Sequence, residues 1–298
     1  MFRISHLSAF TLTGLCSAFA LLAFGSGPRA AAPPVSAPPV SAAPAEAAPL
    51  RICSSQIEAP FSIKDGSGFE NRIASILAEA MGRKPDFVWT EKPAIYLVRD
   101  FLDKNACDVV MGLDAGDPRV LTSESYYRSG YVFVSRADQS AEIKSWKDPR
   151  IEKLDHIAVA FSSPAESMLH EVGKYEDNFA YLYSLVNFRS PRNQYTQVPS
   201  EKLVSEVASG NAALAVAFAP EVARYVKQAA QPLRMTMISD DNFRSDGQKV
   251  PHHFDQSIGV RKGDQALLDQ VNIGLAKARQ KIEAILKEEG IPLLDKGM

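Results

Sequence analysis

The sequence predicts an α/β protein of two similar-sized lobes, each a mostly parallel sheet flanked by helices. Three observations carry the prediction. Short apolar runs of strand length alternate with segments whose hydrophobic residues recur every three or four positions. The alternation starts over near residue 157, after a strand of different character at Tyr131-Val132-Phe133-Val134. At 298 residues, the chain is long enough for two cores rather than one.

The chain opens with a segment that belongs to neither lobe. Met1–His6 carries Arg3, Leu7–Phe24 follows without a charge, and Ala30-Ala31-Ala32 supplies a small-x-small cleavage pattern. That is the layout of a secretory signal peptide over residues 1–32. The competing reading is an uncleaved anchor, since an apolar run of this length just spans a bilayer. The small-residue run favours cleavage, and with it no stable membrane span in the mature chain. Leu15, directly before Cys16, is poor for lipoprotein processing. Residues 33–49 read as a disordered Pro/Ala-rich linker. Seven prolines and nine alanines fill positions 28–49, a composition that cannot bury a core.

Folding is expected from Leu50. Leu50–Ser54 reads as a strand, ended by the Pro60 region and the Asp65-Gly66-Ser67-Gly68 turn. Phe69–Met81 follows as a helix, with Ile73, Ile76, Leu77, Ala80 and Met81 on one stripe and Gly82 as its stop. Asp86–Thr90 is a second strand and Tyr96–Leu102 a second helix. Asp108–Gly112 is a continuous apolar run suited to a central parallel strand. In the second half, Ile157–Phe161 and Leu214–Phe218 read as strands. Ala165–Val172, Leu203–Ser209 and Glu221–Lys227 read as helices. Ser257–Val260 is a last strand. One helix starts at Asp264 with Leu267, Leu268, Val271 and Leu275 on a face. A final one, Ile282–Lys287, stops at Gly290-Ile291-Pro292.

Composition removes several function classes. The 33 basic and 35 acidic residues leave a net charge of −2, with no footprint for nucleic acid. Mean hydropathy is slightly negative and only one long apolar run exists, which excludes a polytopic membrane protein. Three cysteines are too few for a disulfide-rich scaffold or a four-ligand zinc site. Once Cys16 leaves with the signal, Cys53 and Cys107 remain. In an oxidising compartment they invite a disulfide, against the alternative of two buried free thiols. His252 and His253 are adjacent and point to opposite faces of an extended chain, so no metal site is expected. A calcium loop over 242–253 fails, because Arg244 and His253 would stand at ligand positions.

No Gly-x-Ser-x-Gly elbow, glycine-rich phosphate loop or His-Glu-x-x-His pair is present. The densest polar patch is Asp114, Asp117 and Arg119, beyond the carboxyl end of the expected central strand, where open α/β sheets bind ligands. It reads equally as a capped turn with Arg119 neutralising its neighbours. Tyr127 and Arg128, in the Tyr126-Tyr127-Arg128 run, either line a cleft or cover the sheet. Ser162 and Ser163 precede a helix and either bind an anion through free N–H groups or act as N-caps.

These motifs together resemble the type II periplasmic binding proteins, over essentially all of Leu50–Leu294. The resemblance implies a two-lobe fold with two hinge strands, Tyr131–Arg136 and Phe254–Gly263. It assigns residues 50–135 plus 256–298 to lobe 1 and 136–255 to lobe 2. A closer resemblance is to the MxaJ/MoxJ-type accessory components of bacterial methanol oxidation. It is carried by Cys53, Gly68–Ala74, the run from Cys107 to Arg119, Tyr126–Val134, Gln256–Arg261 and Gly290–Leu294. What it implies is a non-catalytic periplasmic protein that works with the quinoprotein methanol dehydrogenase. The dehydrogenase, not this chain, would hold pyrroloquinoline quinone and calcium.

One departure bears on ligand choice. Amino-acid-binding members of the superfamily place an aspartate for the ligand ammonium about where this chain has Phe218, and their carboxylate-binding arginine is offset from Arg119. An ammonium facing Phe218 would lose a charged hydrogen bond, several kcal/mol in a dry cleft. Two other readings stay open. One is a transport receptor for an unidentified small molecule. The other is a periplasmic dehydratase-like enzyme, for which Asp114 and Asp117 are the acid/base candidates.

Overall fold

A computed structural model describes residues 47–138, 142–186 and 198–295. The expected signal peptide and most of the expected linker lie outside the described residues. Those described belong to one compact unit, Glu46–Met298.

The first half of the fold runs β1 (Leu50–Ser55), β2 (Ile57–Glu58), β3 (Ser62–Ile63), α1 (Phe69–Ala80), β4 (Pro85–Thr90), β5 (Val109–Asp114), β6 (Leu121–Thr122) and β7 (Tyr127–Arg136). It continues through β8 (Ile157–Val159), α2 (Pro164–Glu171), α3 (Tyr175–Ser184), α4 (Ser200–Ser209), β9 (Leu214–Phe218), α5 (Ala219–Gln228), β10 (Leu233–Met237), β11 (His253–Val260) and α6 (Gln265–Glu289).

The principal strands are ordered β4-β1-β5-β11-β7-β9-β8, with β6 beside β11 and β10 beside β7. β1 pairs in parallel with both β4 and β5, and β8 pairs in parallel with β9. Each parallel step needs a crossover, which the helical segments supply. Every antiparallel pairing in this sheet involves β7 or β11. These two long strands join the lobes. The start of β7, Tyr127–Gly130, pairs with the start of β11, while Tyr131–Val134 pairs with β9. β11 then continues from Gln256 to Val260 against β5.

Burial follows the strand patterns. Lobe 1 is built on Leu50, Ile52, Phe69, Ile73, Leu77, Val109, Ile258, Val271 and Leu286. A satellite cluster of Leu97, Val98, Leu102 and Val110 surrounds Cys53 and Cys107. Those two cysteines form a disulfide, with Cα atoms 5.4 Å apart, a span a disulfide accommodates. Lobe 2 is built on Phe133, Trp146, Ile157, Leu169, Leu182, Leu203, Val207, Val216 and Val222.

Three local departures from the sequence reading have physical reasons. The expected helix over 96–102 is a 3₁₀ turn, Ala94–Tyr96, followed by a π turn, Val98–Leu102. The wide turn keeps Leu97, Val98 and Leu102 together on the disulfide cluster. The two expected C-terminal helices are one, the 25-residue α6. Residues 276–281 are all good helix formers, and Ala278 and Ile282 continue the buried stripe. Gly274 lets α1 cross closely, since a Cβ there would lie 2.8 Å from Met81 and 2.9 Å from Leu77. Finally, α3 and β10 carry too few buried apolar residues to be read as elements. Only Asn178 and Leu182 are buried in α3, and only Thr236 in β10.

Candidate functional site

The loop before α1 folds tightly onto β3. A Cβ at Gly68 would sit 2.3 Å from the Phe61 carbonyl oxygen, so only glycine fits. That approach sets Glu70 on the same buried helix face as Phe69, Ile73 and Ala74. A carboxyl in that position needs partners, and the paired tyrosines supply them. The Tyr126 hydroxyl donates to Glu70 Oε2 at 2.6 Å and accepts from the Gly112 N–H at 3.1 Å. The Tyr127 hydroxyl donates to Glu70 Oε1 at 3.2 Å. Burial pushes the Glu70 carboxyl up to about 7, against the two tyrosine hydrogen bonds that favour its ionised form. Burial also raises both phenols well above their ordinary value.

Beside this cluster lies a cavity of about 180 Å³, lined by Cys53, Ser54, Ser55, Glu58, Phe61, Ser62, Glu70, Asn71, Ala94, Leu97, Met111 and Gly112. All of these come from lobe 1. Burial raises the Glu58 carboxyl, although the Ala94 N–H donates to it at 2.9 Å. From lobe 2, Glu221 in the first turn of α5 faces the same region. Its carboxyl is pushed up to about 7, chiefly by burial and then by the charge of Glu58. Where the lobes meet, Tyr131, Phe218 and Phe254 form an aromatic cluster with centroids 5.8, 6.1 and 5.9 Å apart.

The residues singled out from sequence are dispersed around this centre. Asp114 accepts from Gln256 Nε2 at 2.7 Å. Asp117 takes the Arg119 guanidinium at 2.6 Å, and its other cationic neighbour is Lys262. Neither Asp117 nor Arg119 lines the cavity. Tyr127 reaches it indirectly, through Glu70. Arg128 stands 3.8 Å from Asp255, with its buried Nε lacking a hydrogen-bond partner. Ser162 and Ser163 form a reciprocal cap with Glu166. The Ser162 N–H donates to Glu166 Oε2 at 2.6 Å, and Ser163 Oγ accepts from the Glu166 N–H at 3.1 Å. The chain's own carboxylate therefore holds the Ser162 amide at that helix start. Phe218 packs into the aromatic cluster.

Sequence reasoning missed Glu58, Glu70 and Glu221 as site residues. For Glu70 a signal existed, an acidic residue on the apolar stripe of an amphipathic helix. For Glu58 and Glu221 there was none, because their meeting depends on how the lobes pack. Among the described residues no group of three or more His, Cys, Asp or Glu is placed to hold a metal ion. No helix among them is long and apolar enough to cross a membrane.

The bacterial extracellular solute-binding proteins, family 3, match residues 50–288 of the chain. The Methylorubrum extorquens protein MoxJ is 60% identical over 245 residues, covering 82% of this chain and 81% of that protein. The crystal structure of MxaJ from Methlophaga aminisulfidivorans MPT has a TM-score of 0.79 at 50% identity, covering 82% of this chain and 100% of the other. That of the periplasmic binding protein XoxJ from Methylobacterium extorquens AM1 has a TM-score of 0.60 at 25% identity, with coverage of 83% and 100%.

Proposed function

Because the chain belongs to the bacterial extracellular solute-binding proteins, family 3, we propose that it is a non-catalytic periplasmic accessory protein of methanol oxidation. It interacts with the quinone-dependent methanol dehydrogenase and supports that enzyme's assembly or activity. Pyrroloquinoline quinone and calcium belong to the dehydrogenase. The observation that carries this reading is the likeness to MoxJ and MxaJ, sustained through both lobes. Lobe 1 is residues 50–135 with 256–298, and lobe 2 is 136–255.

The cavity chemistry supports the reading. An amino-acid receptor needs a guanidinium for the ligand carboxylate and a carboxylate for its ammonium. Among the described residues no arginine stands in this cavity's wall, and Phe218 is engaged with Tyr131 and Phe254. The Ser162 amide at the start of α2 is already held by Glu166.

Titration calorimetry of the mature protein, from Pro33 onward, against methanol dehydrogenase from the same organism tests the proposal. Saturable binding at micromolar affinity or better, about −8 kcal/mol, is expected. No heat at two temperatures overturns it. The second reading, a receptor for an unidentified small molecule, is favoured by the cavity itself. In a metabolite screen by thermal shift, a ligand at 100 times its Kd adds about 2.7 kcal/mol of stability.

A further inference from the structure

Besides the strands β7 and β11, one helix makes contacts from lobe 2 to lobe 1. α5 belongs to lobe 2, yet Ala223 is part of the lobe 1 core. The next residue, Arg224, and Lys227 one turn on reach the end of α6. The Arg224 guanidinium grips the Glu289 carboxylate with two bonds, Nε to Oε2 at 2.7 Å and Nη2 to Oε1 at 2.8 Å. Nη2 also donates to the Ser67 carbonyl at 3.1 Å, in the loop that introduces α1. Lys227 Nζ donates to the Glu288 carbonyl at 2.7 Å. From lobe 1, Arg72 of α1 pairs with Glu288 at 2.5 Å and with Glu289 at 3.3 Å.

This is not a solvated surface pair. The Glu289 side chain is 7% exposed and Arg224 17%. Withdrawing Arg224 breaks two charge-assisted hydrogen bonds from one guanidinium to one carboxylate and leaves Glu289 with only its longer contact to Arg72. Separating α5 from α6 therefore has a penalty that no ligand is needed to create. The cavity side offers no comparable attraction. There the lobes face each other through Glu58 and Glu221, which are like-charged when ionised. Phe61 and Met235 pack against both cores and add apolar contact without direction.

We propose that Arg224 and Glu289, with Arg72 bracing Glu289 from within lobe 1, form an interlobe latch that holds the two lobes in this one arrangement without any cleft ligand. The surface offered to a partner is then preformed. The latch stands on its own contacts and does not depend on which partner the protein serves.

The mature chain has no cysteine outside the Cys53–Cys107 disulfide. Two added cysteines, at exposed Glu91 in lobe 1 and exposed Glu176 in lobe 2, can therefore carry spin labels cleanly. Pulsed electron–electron distance measurement on the ligand-free wild type is expected to give one narrow distribution. Arg224→Ala and Glu289→Gln are expected to broaden it, with the population at other separations raised at least about 100-fold. The charge-swapped double variant Arg224→Glu, Glu289→Arg is expected to recover part of the narrow population. A broad or two-peaked wild-type distribution overturns the latch. So does a narrow distribution retained in both single variants, with circular dichroism confirming that they fold. Dehydrogenase binding by calorimetry is read separately, so failure of the latch and failure of the accessory role are distinguishable.

Discussion

Replacing Glu70 by glutamine tests the buried carboxyl at the centre of the site. The side chain keeps its shape and its carbonyl oxygen, so one tyrosine hydroxyl retains an acceptor. In the folded protein the carboxyl titrates at about 7, against 4.5 ordinarily. That gap corresponds to about 3 kcal/mol, at about 1.4 kcal/mol per tenfold change in proton affinity. The folded state holds this proton more tightly than the unfolded chain does. Stability from Glu70 is therefore fully present below pH 4.5 and is lost as pH rises through 7. Glutamine cannot ionise, so the variant lacks this loss. Urea unfolding of both proteins at pH 5 and pH 8 reads the difference directly, provided the m-values agree. The variant's midpoint should gain on the wild type from pH 5 to pH 8, by up to about 3 kcal/mol after conversion through m. Parallel pH profiles in the two proteins would refute the reasoning, because Glu70 would then ionise alike in both states.

Three further outcomes follow from other contacts. The disulfide closes a segment with a sequence separation of 54, worth about 4 kcal/mol through the unfolded chain's entropy. Replacing both Cys53 and Cys107 with serine should lower the calorimetric Tm by roughly 10 °C; a change within 1 °C removes that role. His252 is buried, with Nδ1 2.8 Å from the Val250 carbonyl and Nε2 accepting from the donor-only Trp146 Nε1 at 3.0 Å. Desolvation lowers its pKa, so its contribution is complete above about 6.5 and is lost as pH falls. His252→Gln should flatten the loss of stability between pH 6.5 and pH 5 seen in wild type. At the base of lobe 1, Asp108 meets Arg51 at 2.6 Å, Arg83 at 3.5 Å and Arg261 at 3.6 Å. Burial raises the Asp108 carboxyl, but the Arg51 hydrogen bonds and the arginine charges outweigh it and hold it below its ordinary value. Asp108→Asn should cost about 2 kcal/mol at pH 7, and progressively less as pH falls below the ordinary carboxylate value, by denaturant titration.

What could be read from the sequence was whatever one element encodes by itself. Leu214–Phe218 is apolar at every position because it is covered on both faces, and its limits match β9. Phe69–Met81 carries a wide stripe, and α1 ends within one residue of it. α3 was unreadable because Tyr175, Phe179 and Tyr183 leave its aromatic face largely outside the core. β7 was read short. Its first residues, Tyr127–Gly130, gain their strand character from β11, a partner far along the chain. The site followed the same rule. Asp114, Asp117 and Arg119 stood out because they are near one another in sequence, and that nearness let Arg119 turn back onto Asp117. Glu70 needed Tyr126 and Tyr127 from a distant strand, and Glu221 needed a second lobe.

The charges inside the cleft bear most directly on what this fold is used for. An α-amino acid brings one carboxylate and one ammonium. Here its carboxylate would approach Glu58 and Glu70 in the cavity wall, with Glu221 near Glu58 and no guanidinium among the described wall residues. Two like unit charges at about 4 Å repel by about 4 kcal/mol when the effective dielectric constant is about 20. The backbone amide that could have offset this, at Ser162, already carries Glu166. Glu70 and Glu221, both pushed up to about 7, relieve that repulsion only to the extent that they hold protons, and no arginine among the described wall residues offsets the rest. A protein partner docking on the outer surface meets none of these penalties. It leaves Glu70 in its bonds to Tyr126 and Tyr127 and the lobes joined through Arg224 and Glu289. On the proposed accessory role, the residues that make the cavity poor for an amino-acid carboxylate leave partner docking to the exterior.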